Sequence, residues 1–134
     1  MRGFFVLVII FAPFLISAQS IRLTVEIDGF RNDDGHVMVK VIDQEEEIVA
    51  HKIASIAGGH STIVFKEIPA GTYALSYFHD ENDNEDMDTN FFGMPKEGFG
   101  FSNTAKGRMG PPKLKDQLFT FTSDLTLSLQ TMYL

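Results

Sequence analysis

The sequence predicts an all-β domain, a seven-stranded antiparallel sandwich with one long functional loop before its sixth strand. Three observations predict it. Apolar residues recur at every second position through most of the chain, which is the period of a strand with one buried face. Gly, Pro, Asn and Asp cluster between those runs, as short strands separated by turns require. Beyond the N-terminal segment, no stretch repeats apolar residues with the helical period over a useful length.

Residues 1–18 stand apart. Arg2 gives a positive start, Phe4 to Ile16 are apolar apart from Pro13, and Ser17 and Ala18 are small. This pattern predicts a secretory signal peptide cleaved after Ala18, with a periplasmic or extracellular destination. The run is short and wrongly flanked for a retained membrane span; an uncleaved anchor is the alternative. Residues 19–134 then form one domain. No later run can span a membrane, so no span is expected after signal removal. The chain has no Cys. That excludes disulfides, lipid attachment through an N-terminal Cys, thiolate catalysis, zinc–thiolate sites and iron–sulfur clusters. Without Arg2, ten basic side chains face eighteen acidic ones. This balance disfavours nucleic acid and anionic membrane as partners and suits cations.

The elements follow in order. Ile21 to Asp28 alternates, with Ile21, Leu23, Val25 and Ile27 on one face. Gly29 to Gly35 is turn chemistry, and Val37, Val39 and Val41 mark a second strand over His36 to Asp43. The two read as a hairpin. Ile48 to Ser55 is a weaker strand anchored by Ile53, and Ser61 to Ile68 is a fourth, β-branched at Thr62, Ile63 and Val64. Pro69-Ala70-Gly71 makes a tight turn. Thr72 to Asp80 is the fifth strand, with Tyr73, Leu75, Tyr77 and His79 on one face. Gln117 to Thr122 is the sixth, and Leu125, Leu127 and Leu129 define a seventh running to Met132. A Greek-key connection is expected among them.

The loop at 80–116 is long for a compact domain, where such connections are usually functional or disordered. Four of the nine Phe beyond the N-terminal segment lie in it, which argues against disorder. It opens on six carboxylates and two Asn within Asp80 to Asp88. Hard cations take six to eight oxygen ligands. Asp80, Asn82, Asn84 and Asp88 offer side-chain oxygens at alternate positions, and Asp86 would donate its main-chain carbonyl. The spacing matches the first part of an EF-hand-like loop, so calcium is the expected cation. Glu85 stands where that loop has Gly, and Phe91 where it has a bidentate Glu. Glu97 is the only later acid before Asp116 that could replace it. Two readings compete with it: a solvated acidic turn that prefers to be extended, and neutralisation without metal by Lys106, Arg108, Lys113 and Lys115 folding back.

The next part of the loop alternates Phe with Gly. Its Phe can tuck into the open end of the sandwich, the favoured reading, or stay exposed as a platform for a carbohydrate or protein ligand. In the second case Phe92, Phe99 and Phe101 form the contact surface. Signals for catalysis are poor. Gly100 to Thr104 lacks the second Gly of a nucleophile elbow, no HExxH occurs, and nothing selects a carboxylate pair for glycoside cleavage. His79 reads as a structural hydrogen bonder at the strand end.

The stretches IPAGTYALSYFHDENDN, MDTNFFGMPKEGFGFSN and GPPKLKDQLFTF resemble the bacterial family known as domain of unknown function 2141. The resemblance covers nearly all of residues 19–134. It implies a small exported protein of prealbumin-like or immunoglobulin-like fold and supplies no activity. The family's usual loop, H-D-x-N-x-N-G-x-x-D, appears here as His79, Asp80, Asn82, Asn84 and Asp88, departing at Glu85. The resulting expectation is a secreted or periplasmic, non-catalytic binding or accessory domain with a calcium-stabilised acidic loop. Two alternatives stand beside it. A metal-dependent hydrolase-like or carbohydrate-active enzyme would place His79 or Glu97 in a concave pocket by the loop. A purely structural accessory domain would bury the Phe.

Overall fold

The alternating runs become strands wherever one face meets the core. The computed structural model describes residues 9–13 and 21–134. Most of the expected signal peptide, with its cleavage point, lies outside the described residues. No helix among the described residues is long and apolar enough to cross a membrane. The strands are β1 (Leu23–Asp28), β2 (His36–Ile42), β3 (Ile48–Ala54), β4 (Ser61–Phe65), β5 (Gly71–Asp80), β6 (Phe99–Phe101), β7 (Phe119–Phe121) and β8 (Leu125–Gln130). A 3-10 turn spans Ser102–Thr104, and a one-turn helix, α1, spans Leu114–Gln117.

Two sheets enclose the core. The smaller has the order β4-β1-β8; the larger runs β3-β2-β5-β6, with β7 also paired to β5. Val25 and Ile27 of β1, Val37 and Val39 of β2, and Leu75 and Tyr77 of β5 are buried between them. The all-β, two-sheet expectation holds, but two details change. Among the described residues there are eight strands, because three residues of the Phe/Gly segment form β6. The smaller sheet is mixed, because β8 runs parallel to β1. A three-residue strand is too short for its period to declare it. Strand direction is set by how the chain returns from the other sheet, which local pattern does not encode.

Three further expectations are corrected. β1 and β2 are not a hairpin: β1 pairs with β4 and β8, whereas β2 pairs with β3 and β5. Residues 29–35 instead arch from one sheet to the other. Phe30 is buried in the core beneath the arch, and a two-stranded hairpin turn would leave it in water. Ile53 does not anchor β3. It lies opposite Met38 on the outer face and is half exposed. The inner side of this edge strand is carried by Ala50 and Ala54, which pack against the core. The expected sixth strand begins at Phe119, because Gln117 closes α1.

β5 is the axis of the larger sheet, and one of its edges is shared. β7 pairs with Gly71–Tyr73 and β6 with Ser76–Phe78. In the gap between them, the Leu75 N–H donates to the Ser102 hydroxyl at 3.0 Å, and that hydroxyl donates to the Gln117 carbonyl. Ser102 is wholly buried, so a side chain stands in for the missing ladder bond. Ser102→Ala is expected to lower stability by about 1–3 kcal/mol, the cost of orphaning a buried N–H. Urea denaturation measures it. A loss below about 0.5 kcal/mol would mean that water replaces the hydroxyl.

Candidate functional site: an acidic loop above a short hairpin

β5 ends at Asp80, and the interstrand arch presses on that end. A Cβ on Gly35 would lie 1.8 Å from the Asp80 carbonyl oxygen, and Gly35 has φ +64°. Only glycine allows both the close approach and the left-handed turn. The arch thereby brings Arg31 and His36 to the loop. The Arg31 guanidinium grips both oxygens of Glu81, at 2.6 and 2.9 Å, and lies over the Tyr133 ring. This fork holds the Glu81 carboxyl below its usual range and raises the guanidinium. His36 Nδ1 lies 2.6 Å from Asp83 Oδ1.

Within the loop a local hydrogen-bond network links four of the side chains. Asp80 is buried, and its two oxygens accept the backbone N–H groups of Asn84, at 3.2 Å, and Glu85, at 2.8 Å. Asn84 Nδ2 donates to Asp88 Oδ1 at 2.8 Å, and Asn82 Nδ2 donates to Asp88 Oδ2. The amide donors, Asn84 foremost, hold the Asp88 carboxyl down. Asp80, Asn82, Asn84 and Asp88 are therefore drawn into one hydrogen-bonded group. Asp86 points its side chain to solvent, while its N–H donates to Asn84 Oδ1 at 3.1 Å. Among the described residues, no three His, Cys, Asp or Glu side chains form a metal cage by themselves. Two of the four linked side chains here are the amides of Asn82 and Asn84.

The acidic run is neutralised from an unexpected direction. Among the described residues, Lys106, Arg108, Lys113 and Lys115 make no ion pair with it. Arg31 of the arch meets the charge at Glu81 instead, while His36, the first residue of β2, hydrogen-bonds Asp83, and the Asn amides and backbone N–H groups serve the other carboxylates. Nothing in the spacing around Arg31 and His36 signalled this role.

Glu85 holds a tight turn at φ +64°, and Asp83 adopts φ +54°. A left-handed L-residue costs about 1–2 kcal/mol, partly offset by the entropy a glycine would lose. Glu85→Gly is therefore expected to stabilise the domain by about 0.5–1 kcal/mol. A thermal melt checks it, and a lowered midpoint would show that the Glu85 side chain has a role of its own.

Residues 88–97 fold into a small hairpin on the loop. Lys96 N–H donates to the Asp88 carbonyl at 2.8 Å, Thr89 bridges Pro95, and Asn90 N–H donates to the Met94 carbonyl at 2.8 Å. Asn90 Oδ1 ties the turn by accepting the N–H groups of Phe92 and Met94. Phe91 and Phe92 sit at the tip, 98% and 83% exposed, edge to face. The expectation that the Phe pin the loop inside the sandwich therefore fails at the tip. Phe99 and Phe101 lie on β6, partly buried, opposite Phe78 and Ser76. Tyr77 opposes Gly100 and takes the inner side, so these two Phe face outward. Register extends the row of Phe99 through Phe78 and Met38 to Ile53, whereas Phe101 is followed by Ser76 and Lys40.

At the hairpin base lies Glu97, which is 3% exposed. Its Oε2 faces the Asp88 N–H at 3.4 Å, and its Oε1 is buried without a hydrogen-bond partner among the described residues. Burial pushes this carboxyl up to about 7, and the Asp88 and Asp80 charges push the same way.

His79 is structural. It is fully buried; Nε2 lies 2.6 Å from the Asp34 carbonyl, and Nδ1 lies 3.2 Å from the Tyr133 hydroxyl. The carbonyl can only accept, so Nε2 carries the proton. The Tyr133 hydroxyl accepts the Arg31 N–H at 2.9 Å and so can donate to Nδ1. Both ring nitrogens are thus engaged. An open cavity of about 560 Å³ lies elsewhere, between β3 and β4, lined by residues 49–52 and 64–68 and by no loop residue.

A sequence model of the family described as an uncharacterized protein conserved in bacteria matches residues 25–128, from the first strand to the last. No curated protein and no solved structure matches the chain. The matched span holds the arch, the acidic loop and the hairpin together, and the chain belongs to the family known as domain of unknown function 2141.

Proposed function

We propose that this protein is an exported, non-catalytic binding domain whose acidic loop is stabilised by calcium. The observation that carries the reading is the convergence of Asp80, Asn82, Asn84 and Asp88. Two amide NH₂ groups point at the Asp88 carboxylate, where a cation's charge would be welcome. Rotating each amide by half a turn exchanges its nitrogen for an oxygen. The group would then offer hard oxygen donors, the chemistry calcium takes. The buried, unpartnered Glu97 oxygen beside it fits the same cation.

Support for export comes from residues 1–18, whose pattern is that of a secretory signal. A periplasmic or extracellular location follows from it. The exposed Phe91 and Phe92, and the outward-facing Phe99 and Phe101 of β6, support a contact surface for a carbohydrate or protein ligand. We read the two facing sheets as immunoglobulin-like or prealbumin-like, on the family resemblance.

The test is a thermal melt in chelator and then in calcium. Calcium at a hundredfold excess over its dissociation constant should add about 2.7 kcal/mol of stability. Asp80→Ala and Asp88→Ala should abolish the gain. An unchanged wild-type melt would remove calcium from the reading and leave the acidic loop as a recognition element in its own right.

A further inference from the structure

The acidic loop and the 88–97 hairpin share Asp88, and across the hairpin base from it stands Glu97. Three features of Glu97 are unusual together. Its side chain is almost wholly buried. One carboxylate oxygen has no donor, and the other has only a long contact to the Asp88 N–H. No Lys, Arg or His pairs with it among the described residues. A carboxylate held this way is costly unless a positive group meets it. Arg31 could have done so, since its Nη2 reaches the neighbouring Lys96 carbonyl at 3.3 Å, but its fork is committed to Glu81. The loop also lacks an acid at the place where calcium loops carry their closing bidentate carboxylate, because Phe91 stands there.

We infer that Glu97 is the closing ligand of the cation site, so that one cation joins the acidic loop to the base of the 88–97 hairpin. The inference rests on the calcium reading of the loop and adds to it a ligand and a consequence. Asp88 and Glu97 lie on opposite arms of the hairpin, held by the Lys96 N–H to Asp88 carbonyl bond. A cation bound by both carboxylates clamps those arms. The turn that carries Phe91 and Phe92 is then fixed by the cation, which makes the exposed aromatic tip cation-dependent.

Calorimetric titration with calcium, after chelator treatment, tests this on wild type, Glu97→Gln and Glu97→Ala. Amide hydrogen exchange is followed in parallel at Asn90, Gly93 and Lys96. Wild type is expected to bind, and both variants to bind at least tenfold more weakly. Calcium should slow exchange at the three amides in wild type and leave it nearly unchanged in the variants. In chelator, Glu97→Gln should melt no lower than wild type, because it keeps the shape and removes a buried, unpartnered carboxyl oxygen. A purely structural Glu97 would give the opposite, a lower melt with calcium affinity intact. Wild-type binding with both variants within twofold would overturn the role of Glu97 and leave the loop reading standing. No wild-type binding would overturn both. Should neither variant fold, wild-type exchange decides, and unslowed hairpin amides in saturating calcium would overturn the clamp.

Discussion

Phe30→Ala is expected to lower the unfolding free energy by about 3–5 kcal/mol, the range for truncating a buried Phe. Phe30 is the only large apolar residue of the arch between β1 and β2, and it is 6% exposed. Its ring meets His79 edge-on at 5.1 Å and Tyr77 at 6.5 Å between centroids. Its N–H donates to the Gly59 carbonyl at 3.2 Å, and Asp33 in the same arch accepts the N–H groups of Gly58 and Gly59 at 2.8 Å. Removing the ring opens a cavity between rigid sheet faces that cannot close on it. The effect should extend to the loop, because the next residue, Arg31, holds Glu81. Guanidinium denaturation gives the magnitude. Phe30→Leu, which keeps most of the volume, should cost less than half as much. Equal losses would show that ring shape outweighs volume. A loss below about 1 kcal/mol would show that the arch is not bound to the core by this residue.

His79→Leu is expected to cost about 1–3 kcal/mol although it keeps apolar contact with Phe30, because it removes both hydrogen bonds of a buried ring and leaves two partly buried polar groups unpaired. The Asp34 carbonyl loses its donor, and the Tyr133 hydroxyl loses the acceptor for its proton. The two bonds join β5, the arch and the C-terminal segment, which also bridges β6 through Phe99 and Met132. Tyr133→Phe should cost less, because it removes the hydroxyl together with its need for a partner. The double variant should then be less damaged than the sum of the singles, a coupling that a double-mutant cycle measures. Strict additivity would mean that the Tyr133–His79 contact contributes nothing. A stable His79→Leu protein would mean that the ring serves only as bulk.

The legible part of this molecule was its local periodicity. Val37, Val39 and Val41, and Tyr73, Leu75, Tyr77 and His79, fall on inner faces as their alternation requires, because the strand period is a property of the backbone itself. The grouping of Asp80, Asn82, Asn84 and Asp88 was legible for a related reason. Short-range hydrogen bonds link them, Asn82 and Asn84 to the Asp88 carboxylate and Asp80 to the backbone of Asn84, and need only the local curl of the loop.

What the alternation left open, the packing decided. Ile53 looked like an anchor, yet the β2–β3 register turned it outward and gave the inner side to Ala50 and Ala54. The arch looked like a hairpin turn until Phe30 required burial between the sheets. Phe99 and Phe101 looked like plugs, but pairing with β5 placed them on the outer face. Arg31, His36 and Glu97 reach the acidic loop from the arch and from the far arm of the hairpin. Such contacts depend on which segments lie side by side. That is settled by the burial of the whole core and by the pairing of every strand edge, energies that no single stretch of residues carries.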